Sequence, residues 1–357
     1  MSHLNEAPPV VEGNPAPIYA LVPPAHRDLV RAVWEQDRVP LASMKMENDL
    51  SAAVGITFTM AGFRYDRRRR REAVRAVCTR AGNPGAADTV LAASAHVERV
   101  LGLLCLPVEV MGFDVGPREI RQVKAYIRTN ICNERFEDKV IACDGTSREL
   151  ELEAVSGVLD IVAPHRRESV LGILSRLQST KGALEGIAVD LHGDEADVKL
   201  YFLPRRTGDE GETYTDAQVI EFIDTSLDMF GLERHRGRAH AMVRDMRGVG
   251  LACSFLAVEE KPDGGNELKV DFNTARTGDT FPGRRVPPAV AAAAIRAAFA
   301  AAGTVPDETA LANLVGLVGE DGILLDDFTT DFGAVASSGK VYLRSASDLG
   351  CGVFARS

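Results

Sequence analysis

The sequence lacks the residue patterns on which metal, redox and membrane proteins depend. Its six cysteines form no CxxC pair and its seven histidines form no HExxH pair, which excludes the usual zinc-hydrolase and dithiol chemistries. No uncharged apolar run is long enough to span a bilayer, and no glycine-rich loop of the P-loop or Rossmann type is present. Nothing at the N-terminus resembles a signal peptide, so we expect a cytoplasmic protein.

Positive charge is also in short supply. The 357 residues include 41 Lys and Arg against 51 Asp and Glu, a formal net charge of −10. This charge repels nucleic acid and acidic membranes, so we predict neither as a partner, and any phosphate group must be bound by a local cluster of cations. The five arginines Arg67–Arg71 are predicted to form the solvated start of a helix. The alternative is that they bind nucleic acid or the acidic leader of a peptide.

The chain is predicted to consist of a short tail and one large domain. Residues 1–25 are proline-rich and have little periodic hydrophobicity, which predicts an extended tail. Hydrophobic residues make up 45% of the whole chain, enough for a sizeable core, and barrels of comparable size fold as one unit. Residues 26–357 are therefore predicted to form a single domain.

Four predicted hairpins have similar second strands. Their lysines are Lys124, Lys199, Lys269 and Lys340, at spacings of 75, 70 and 71 residues. A nearly fixed period indicates an internal repeat, and each unit has the order helix, helix, strand, strand. One further period toward the N-terminus places a fifth hairpin within residues 51–66, so that five units account for the length of the chain.

Side chains alternate between the two faces of a strand. Lys124, Tyr126 and Arg128 therefore share one face, and Ala125 and Ile127 share the other. The apolar faces must pack on helices, so about ten antiparallel strands with helices on one side are expected to close, with their polar faces lining a lumen. We predict an α+β fold: a closed antiparallel ten-stranded β-barrel ringed by helices and built from five ααββ repeats.

The predicted lumen combines cations with aromatic rings. Cations that face one another repel unless an anion binds between them, and the faces of interleaved tyrosines stabilise a nearby cation. Both properties suit the ionisation of an allylic diphosphate, followed by shielding of the carbocation that forms.

Several segments resemble a known family in their order and spacing. They are Met46–Ser51, Gly112–Val115, Val123–Arg128, Ala142–Gly145, Leu251–Phe255 and Gly339–Tyr342. Together with the K-x-Y strands on a repeated ααββ plan, they resemble the ABBA-type aromatic prenyltransferases, whose fold is also called the PT barrel. Within that superfamily the chain is most similar to the cyanobactin (ribosomal-peptide) prenyltransferases, over roughly residues 40–345.

The resemblance implies a role for each matching residue. The diphosphate-binding residues would be Arg64, Lys124, Arg128, Lys199, Lys269 and Lys340. The tyrosines that shield the allylic cation would be Tyr126, Tyr201 and Tyr342. Glu47, ahead of the first hairpin, matches the acid that orients or deprotonates the acceptor, and Asp271 stands where the pattern has an aromatic residue. Magnesium is expected to accompany the diphosphate, with no metal ligands from the chain.

The implied function is transfer of a dimethylallyl or geranyl group from its diphosphate to a side chain of a ribosomally made peptide. If Glu47 and Asp271 both face the lumen, an acidic acceptor end would suit a guanidine or imidazole nucleophile. A small-molecule indole or phenol acceptor is the alternative within the family. Outside it, the alternatives are a non-catalytic barrel that binds an anionic ligand and an interaction protein that uses the arginine run and the proline-rich tail.

Overall fold

The structure is a computed structural model. It describes residues 19–47, 50–60, 63, 66–103, 106–129, 135–136, 139–140, 148–178, 182–192, 195–204, 215–261, 265–273, 285–318 and 323–345. Arg64 and the segment Ala142–Gly145 lie outside the described residues.

Ten strands form one closed antiparallel barrel. They are β1 (Leu41–Glu47), β2 (Gly55–Thr59), β3 (Val108–Val115), β4 (Ile120–Arg128), β7 (Gly182–His192), β8 (Glu195–Pro204), β9 (Ala252–Glu260), β10 (Glu267–Asn273), β11 (Ile323–Gly333) and β12 (Ser338–Ser345). The two-residue strands β5 (Arg135–Phe136) and β6 (Lys139–Val140) pair only with each other. The barrel strands neighbour one another in chain order, and β12 pairs with β1 to close the ring.

Helices flank the hairpins in the chain. They are α1 (Arg27–Arg31), α2 (Arg67–Arg80), α3 (Gly85–Leu101), α4 (Arg148–Val162), α5 (Arg167–Leu177), α6 (Asp216–Phe230), α7 (Arg236–Gly248), α8 (Pro288–Ala302) and α9 (Glu308–Leu317). A pair of helices precedes each of the hairpins β3–β4, β7–β8, β9–β10 and β11–β12. Their ends follow local sequence signals: Thr215 and Gln218 form a capping box before α6, and Gly231 ends that helix at φ 66°.

One face of each barrel strand packs against helices. On β8 the ring of Phe202 lies 5.2 Å from that of Phe222 on α6, measured between centroids. On β11 the hydroxyl of Thr330 donates to the carbonyl of Ala298 on α8 at 2.8 Å. Because side chains alternate along a strand, Tyr201 next to Phe202 and Asp331 next to Thr330 point the other way, into the barrel. This assigns each strand residue to the helix side or to the lumen.

The predicted closed ten-stranded barrel with surrounding helices is confirmed, and four of its hairpins lie where the sequence placed them. The prediction of the first hairpin within residues 51–66 is wrong, because β1 and β2 span residues 41–59. Glu47 is consequently the last residue of β1 and does not precede the hairpin. The strand was missed because Met44 and Met46 form its helix-side face, and methionine carries a weaker strand signal than β-branched or aromatic residues.

The arginine run Arg67–Arg71 begins α2, as predicted. The carboxylate of Asp66 caps the helix by accepting from the backbone N–H of Arg69 at 2.9 Å. Arg70 is buried, and its guanidinium donates to the backbone carbonyls of Phe63 and Val108 at 3.3 and 3.2 Å. At least this arginine therefore has a structural role.

Three short turns before helices are bonded to hairpin turns further along the chain. His26, just before α1, contacts the carbonyl of Gly116 at the β3–β4 turn at 2.8 Å. Arg166, before α5, donates to the carbonyl of Glu260 at the β9–β10 turn. His235, before α7, contacts the carbonyl of Gly333 at the β11–β12 turn at 3.1 Å. In each case a buried basic side chain that precedes one hairpin bonds the turn of the next hairpin around the barrel.

The predicted tail, residues 1–25, lies largely outside the described part of the chain. Residues 1–18 are not described, whereas Leu21 and Val22 are buried in the hydrophobic core. The backbone N–H of Ala53 donates to the carbonyl of Leu21 at 2.9 Å, which ties this segment to the start of β2. Among the described residues, no helix has the length and apolar character that crossing a membrane requires.

Candidate active site

The four regularly spaced lysines all lie on the lumen face of the barrel. Lys124, Lys199, Lys269 and Lys340 have side chains that are 25, 12, 8 and 13% exposed. Each follows a helix-side residue on its strand, and each contacts side chains on nearby strands. The strand repeat therefore places four ammonium groups in one enclosed space.

Each of these lysines pairs across strands with an acidic residue on the first strand of the next hairpin around the barrel. The pairs are Lys124 with Asp190, Lys199 with Glu259, Lys269 with Asp331 and Lys340 with Glu47. In three of them the ammonium nitrogen also contacts the opposite carboxylate directly. The distances are 2.9 Å to Asp190, 2.6 Å to Glu259 and 3.4 Å to Glu47.

The first hairpin has no lysine opposite the acidic residue of the next hairpin. Asp114 on β3 lies opposite Gly55 on β2. Lys45, on β1, extends past this glycine, and its ammonium nitrogen lies 3.1 Å from Oδ1 of Asp114. We call these ten residues the lysine–carboxylate belt: Lys45, Lys124, Lys199, Lys269 and Lys340 with Glu47, Asp114, Asp190, Glu259 and Asp331.

Diagonal contacts join one side of the belt into a continuous chain. Asp114 accepts from Lys124 at 2.9 Å as well as from Lys45, and Lys45 lies 3.3 Å from Glu47. Lys340 in turn bonds Asp331. The five lysines of the belt are thus balanced by five carboxylates. The expectation that only an anionic ligand could relieve repulsion between the lysines is therefore wrong, because the protein's own carboxylates do so.

Burial and pairing shift the pKa values in the belt. Burial alone would lower the pKa of Lys124, but Asp190 and Asp114 outweigh it and raise that pKa above its ordinary value. Burial would likewise raise the pKa of Asp331, yet Lys340 and Lys199 hold it well below the usual range. These groups are therefore charged at neutral pH.

Lys45 is the exception among the belt lysines. Burial lowers the pKa of Lys45, and the nearby charge of Lys124 lowers it further, against the opposing effect of Asp114. Burial alone would raise the pKa of Glu47, but the positive charges of Lys340 and Lys45 bring that pKa below its ordinary value. Glu47 is therefore an ionised carboxylate between two ammonium groups.

Aromatic rings lie beside the belt. The rings of Tyr126 and Tyr201 meet edge to face with centroids 5.2 Å apart, and Phe255 packs on Tyr201 at 6.1 Å. The ammonium nitrogen of Lys269 lies 5.5 Å from the ring centroid of Tyr201 and 4.8 Å from that of Tyr342. The tyrosine rings are thus already close enough to a cation for the cation–π attraction to act.

The hydroxyls of Tyr126 and Tyr342 remain protonated. Burial raises the pKa of Tyr126 well above its ordinary value and that of Tyr342 to about 12. The Tyr126 hydroxyl is buried and has no hydrogen-bond partner among the described residues. A neutral hydroxyl in this position can donate to a ligand oxygen.

Asp271 lies on the lumen side but is not a free carboxylate. Its Oδ2 lies 3.0 Å from the ammonium nitrogen of Lys269, and Oδ1 accepts from the hydroxyl of Ser254 at 3.3 Å. Phe255, on β9, lies directly opposite Asp271. The aromatic ring that the pattern lacks on β10 is therefore supplied by the neighbouring strand.

Arg128 faces the lumen four residues beyond Lys124, at the end away from the β3–β4 turn. Its Nη2 lies 2.8 Å from Glu109 and its Nε lies 3.7 Å from Glu185. Arg128 lies on β4, and Glu109 and Glu185 lie on the two strands that pair with it, β3 and β7. Arg128 thus belongs to a second charged group, separated from the belt by Tyr126.

The structure brings most of the predicted site residues to one lumen. The four lysines, the three tyrosines, Glu47 and Asp271 all face it, and Arg64 lies outside the described residues. Sequence reasoning missed Lys45, Phe255 and four of the belt carboxylates. The carboxylates left a signal, since Glu47, Asp114, Asp190, Glu259 and Asp331 follow one another at 67, 76, 69 and 72 residues, close to the period of the lysines.

The described residues do not form a metal site. They contain no group of three or more His, Cys, Asp or Glu side chains placed to hold a metal ion. The carboxylates of the belt are instead engaged by ammonium groups, as the distances above show. A magnesium ion held by the protein alone does not fit this arrangement.

A closed ten-stranded antiparallel barrel with its helices outside is the architecture of the ABBA-type prenyltransferases, and solved structures of that class share the fold. One is 5-dimethylallyltryptophan synthase from Streptomyces coelicolor, with a TM-score of 0.58 and 14% sequence identity over 95% of this chain and 94% of that one. Another is prenyltransferase PriB in complex with L-tryptophan and dimethylallyl thiolodiphosphate, with a TM-score of 0.53 and 13% identity over 95% and 92%.

A third similar structure is AnaPT from Neosartorya fischeri. Its TM-score is 0.50, with 13% identity over 86% of this chain and 78% of that one. No family model and no curated protein sequence matches the chain. At these identities the likeness establishes the fold, and the closer similarity to cyanobactin enzymes stays a prediction.

Proposed function

We propose that the protein is a prenyltransferase that moves an allylic group, dimethylallyl or geranyl, from its diphosphate to a side chain of a ribosomally made peptide. The observation that carries this proposal is the lysine–carboxylate belt beside Tyr126, Tyr201 and Tyr342, inside a barrel of the ABBA type. Cations for a diphosphate and aromatic faces for a carbocation lie side by side there.

In the proposed reaction, Lys124, Lys199, Lys269 and Lys340 exchange their carboxylate partners for diphosphate oxygens. The bond between C1 of the allylic group and the diphosphate oxygen then breaks, and both electrons leave with the diphosphate. Lys124, Lys199, Lys269 and Lys340 stabilise the charge that develops on the leaving oxygen, an interaction that strengthens in the transition state. Arg128 and Arg64 are proposed to assist in binding the diphosphate.

The allylic cation is proposed to lie against the tyrosine rings, which exclude water from it. A nitrogen, oxygen or carbon atom of the acceptor then forms a bond to C1, and its proton passes to Glu47. A carboxylate at hydrogen-bond distance from the nucleophile is suited to this step. Asp271 is proposed to orient the acceptor, together with its partner Lys269.

Magnesium enters the proposal only as a companion of the diphosphate. A divalent ion there would neutralise part of the charge of the leaving group. The test is to add EDTA, with and without excess magnesium, during turnover. Loss of pyrophosphate release in EDTA, restored by magnesium, supports its participation, whereas an unchanged rate removes it from the reaction.

The acceptor has a second candidate within the same reaction. The similar structures include a dimethylallyltryptophan synthase and a complex with L-tryptophan, which favours a small indole. The test is to incubate the protein with dimethylallyl or geranyl diphosphate and a panel of peptides, free amino acids and indoles. Pyrophosphate release with a product heavier by one prenyl unit supports the proposal, and the panel member modified identifies the acceptor. Tight diphosphate binding without release or product on any panel member would instead support a non-catalytic anion-binding barrel.

A further inference from the structure

The first hairpin lacks the lysine that the other four hairpins contribute to the belt. Gly55 occupies its position, because it lies opposite Asp114 as Lys124 lies opposite Asp190. Gly55 also precedes Lys124 by 69 residues, close to the spacing between the lysines. At this place a carboxylate is present, and no lysine lies directly opposite it on β2.

Lys45 supplies an ammonium group to the same place from the neighbouring strand. Its nitrogen lies 3.1 Å from Asp114 and 3.3 Å from Glu47. Asp114 is shared with Lys124 at 2.9 Å, and Glu47 is shared with Lys340 at 3.4 Å. Lys45 therefore shares one carboxylate with each of two proposed diphosphate-binding lysines, Lys124 and Lys340.

Gly55 is what allows Lys45 to reach this position. A Cβ atom at residue 55 would lie 2.8 Å from Oδ1 of Asp114 and 2.9 Å from Cε of Lys45. Real Cβ atoms essentially never approach a neighbour so closely, so no side chain fits at residue 55 while Lys45 occupies the space above it. The absence of a side chain at Gly55 on β2 thus leaves the space that the side chain of Lys45 on β1 occupies.

We propose that Lys45 is the fifth belt cation that binds the allylic diphosphate, in the role that the family resemblance implied for Arg64. This inference rests on the prenyltransferase function proposed above. When the donor binds, Lys45 turns from Asp114 and Glu47 to diphosphate oxygens. Glu47 loses one of the two cations that hold its pKa down, and it becomes a better proton acceptor at the moment when the acceptor must be deprotonated.

The test measures binding separately from turnover. Inorganic pyrophosphate and dimethylallyl thiolodiphosphate are titrated by calorimetry into the wild type, Lys45→Met and Lys124→Met. The control is Lys261→Met, which removes a half-buried lysine paired with Glu267 at 2.5 Å, outside the belt. Lys45→Met and Lys124→Met are each expected to weaken both probes about tenfold to a hundredfold, the scale of a lost charge-assisted hydrogen bond, and Lys261→Met to leave binding unchanged.

Two further variants separate direct binding from a change in lumen charge. Lys45→Met combined with Glu47→Gln keeps the charge balance of the belt and guards against misfolding caused by an unpaired carboxylate; it is expected to remain as weak a binder as Lys45→Met. Lys45→Ala combined with Gly55→Lys moves the ammonium group to the regular position and is expected to recover most of the lost affinity. Thermal unfolding of each variant confirms that it is folded.

The outcomes distinguish the inference from the function on which it rests. If Lys45→Met binds both probes as the wild type does while Lys124→Met does not, Lys45 is no part of the diphosphate site. Recovery of binding in the charge-balanced double variant would equally overturn the inference, since only net charge would then matter. If the wild type itself binds neither probe, the proposed function fails. Weak binding in both variants that carry Lys45→Met, with recovery in the relocated lysine, supports Lys45.

Discussion

The first and the last hairpins of the barrel present different residues to the belt carboxylate of the next hairpin. In the last hairpin, Lys340 on β12 lies directly across from Glu47. In the first hairpin, Gly55 takes the corresponding place on β2, and Lys45 reaches Asp114 from β1. The comparison shows that the lumen carboxylates are paired with a lysine at both places, although the lysine comes from a different strand position.

The fourth hairpin also lacks a side chain of the pattern, an aromatic ring, and a neighbouring strand supplies one. Asp271 stands where the second, third and fifth hairpins have tyrosine, and Phe255 on the partner strand places a ring beside Tyr201. A lumen wall is a two-dimensional surface, so a side chain missing from one strand can be supplied by the strand beside it. We call the first and fourth hairpins compensated, because a neighbouring strand supplies a side chain that they lack, and the other three regular. The difference between the two kinds can be tested by substituting one residue of a pair at a time.

The largest effect is expected when a regular pair is broken. Lys199→Met leaves Glu259, whose side chain is 6% exposed, as a buried carboxylate without its closest cation. We expect the free energy of unfolding to fall by about 3 kcal/mol, the scale for an uncompensated buried charge, as measured by urea denaturation. Lys199→Met combined with Glu259→Gln should recover most of the loss. Wild-type stability in the single variant would show that the pair is not coupled to folding.

The next largest effect is expected at Glu47, the carboxylate that Lys45 and Lys340 share. Glu47→Gln keeps the shape of the side chain but removes the proton acceptor. We expect turnover to fall about a hundredfold, as for the loss of a positioned general base, while pyrophosphate affinity changes little because the lysines remain. Steady-state kinetics with dimethylallyl diphosphate and the best acceptor provide the measurement. An unchanged kcat would exclude Glu47 from proton transfer.

A smaller effect is expected at the compensated aromatic position. Asp271→Asn removes the charge next to Lys269 and keeps the size of the side chain, and Asp271→Tyr restores the ring of the other hairpins. We expect acceptor preference to move away from guanidine and imidazole and toward phenol and indole, by about tenfold in relative kcat/KM, about 1.4 kcal/mol. Competition between arginine-, histidine-, tyrosine- and tryptophan-containing peptides measures it. An unchanged order of preference in both variants would mean that Asp271 does not select the acceptor.

The smallest effect is a pH dependence of diphosphate binding. The lowered pKa of Lys45 means that this lysine loses its charge at a lower pH than Lys124 or Lys340, whose pKa values are raised. Because only the charged form binds an anion, affinity for pyrophosphate should decline on the alkaline side as pH rises through the pKa of Lys45. Lys45→Arg should move that decline to higher pH, since arginine stays protonated.

Calorimetric titration across the alkaline range measures this dependence. The charged or titratable groups that face Lys45 are Glu47 on its own strand, Asp114, Lys124, Lys340 and Tyr342. Tyr342 has a pKa raised to about 12 and stays neutral over this range. An identical alkaline decline in the wild type and in Lys45→Arg would assign the titration to another group.

Much of the barrel could be predicted because each of its later hairpins carries the repeated lysine with alternating apolar and polar residues. That local pattern gave the strand positions of Lys124, Lys199, Lys269 and Lys340 and the direction in which they point. It failed for β1, where Lys45 alternates with methionines, and the family resemblance implied Arg64 as the cation of the first hairpin. Pairings between hairpins, such as Lys199 with Glu259, depend on register across strands about 60 residues apart in the chain, which no local pattern specifies.

The basic side chains of His26, Arg166 and His235 link successive hairpins of the barrel. Each lies in the turn before a helix that precedes one hairpin, and each bonds the turn of the next hairpin around the barrel. These three contacts therefore brace the ends of hairpins that the strand ladders already join. Because β12 pairs with β1, the contact between Lys340 and Glu47 joins the last strand of the chain to the first, so damage at either end of the described barrel would reach the belt.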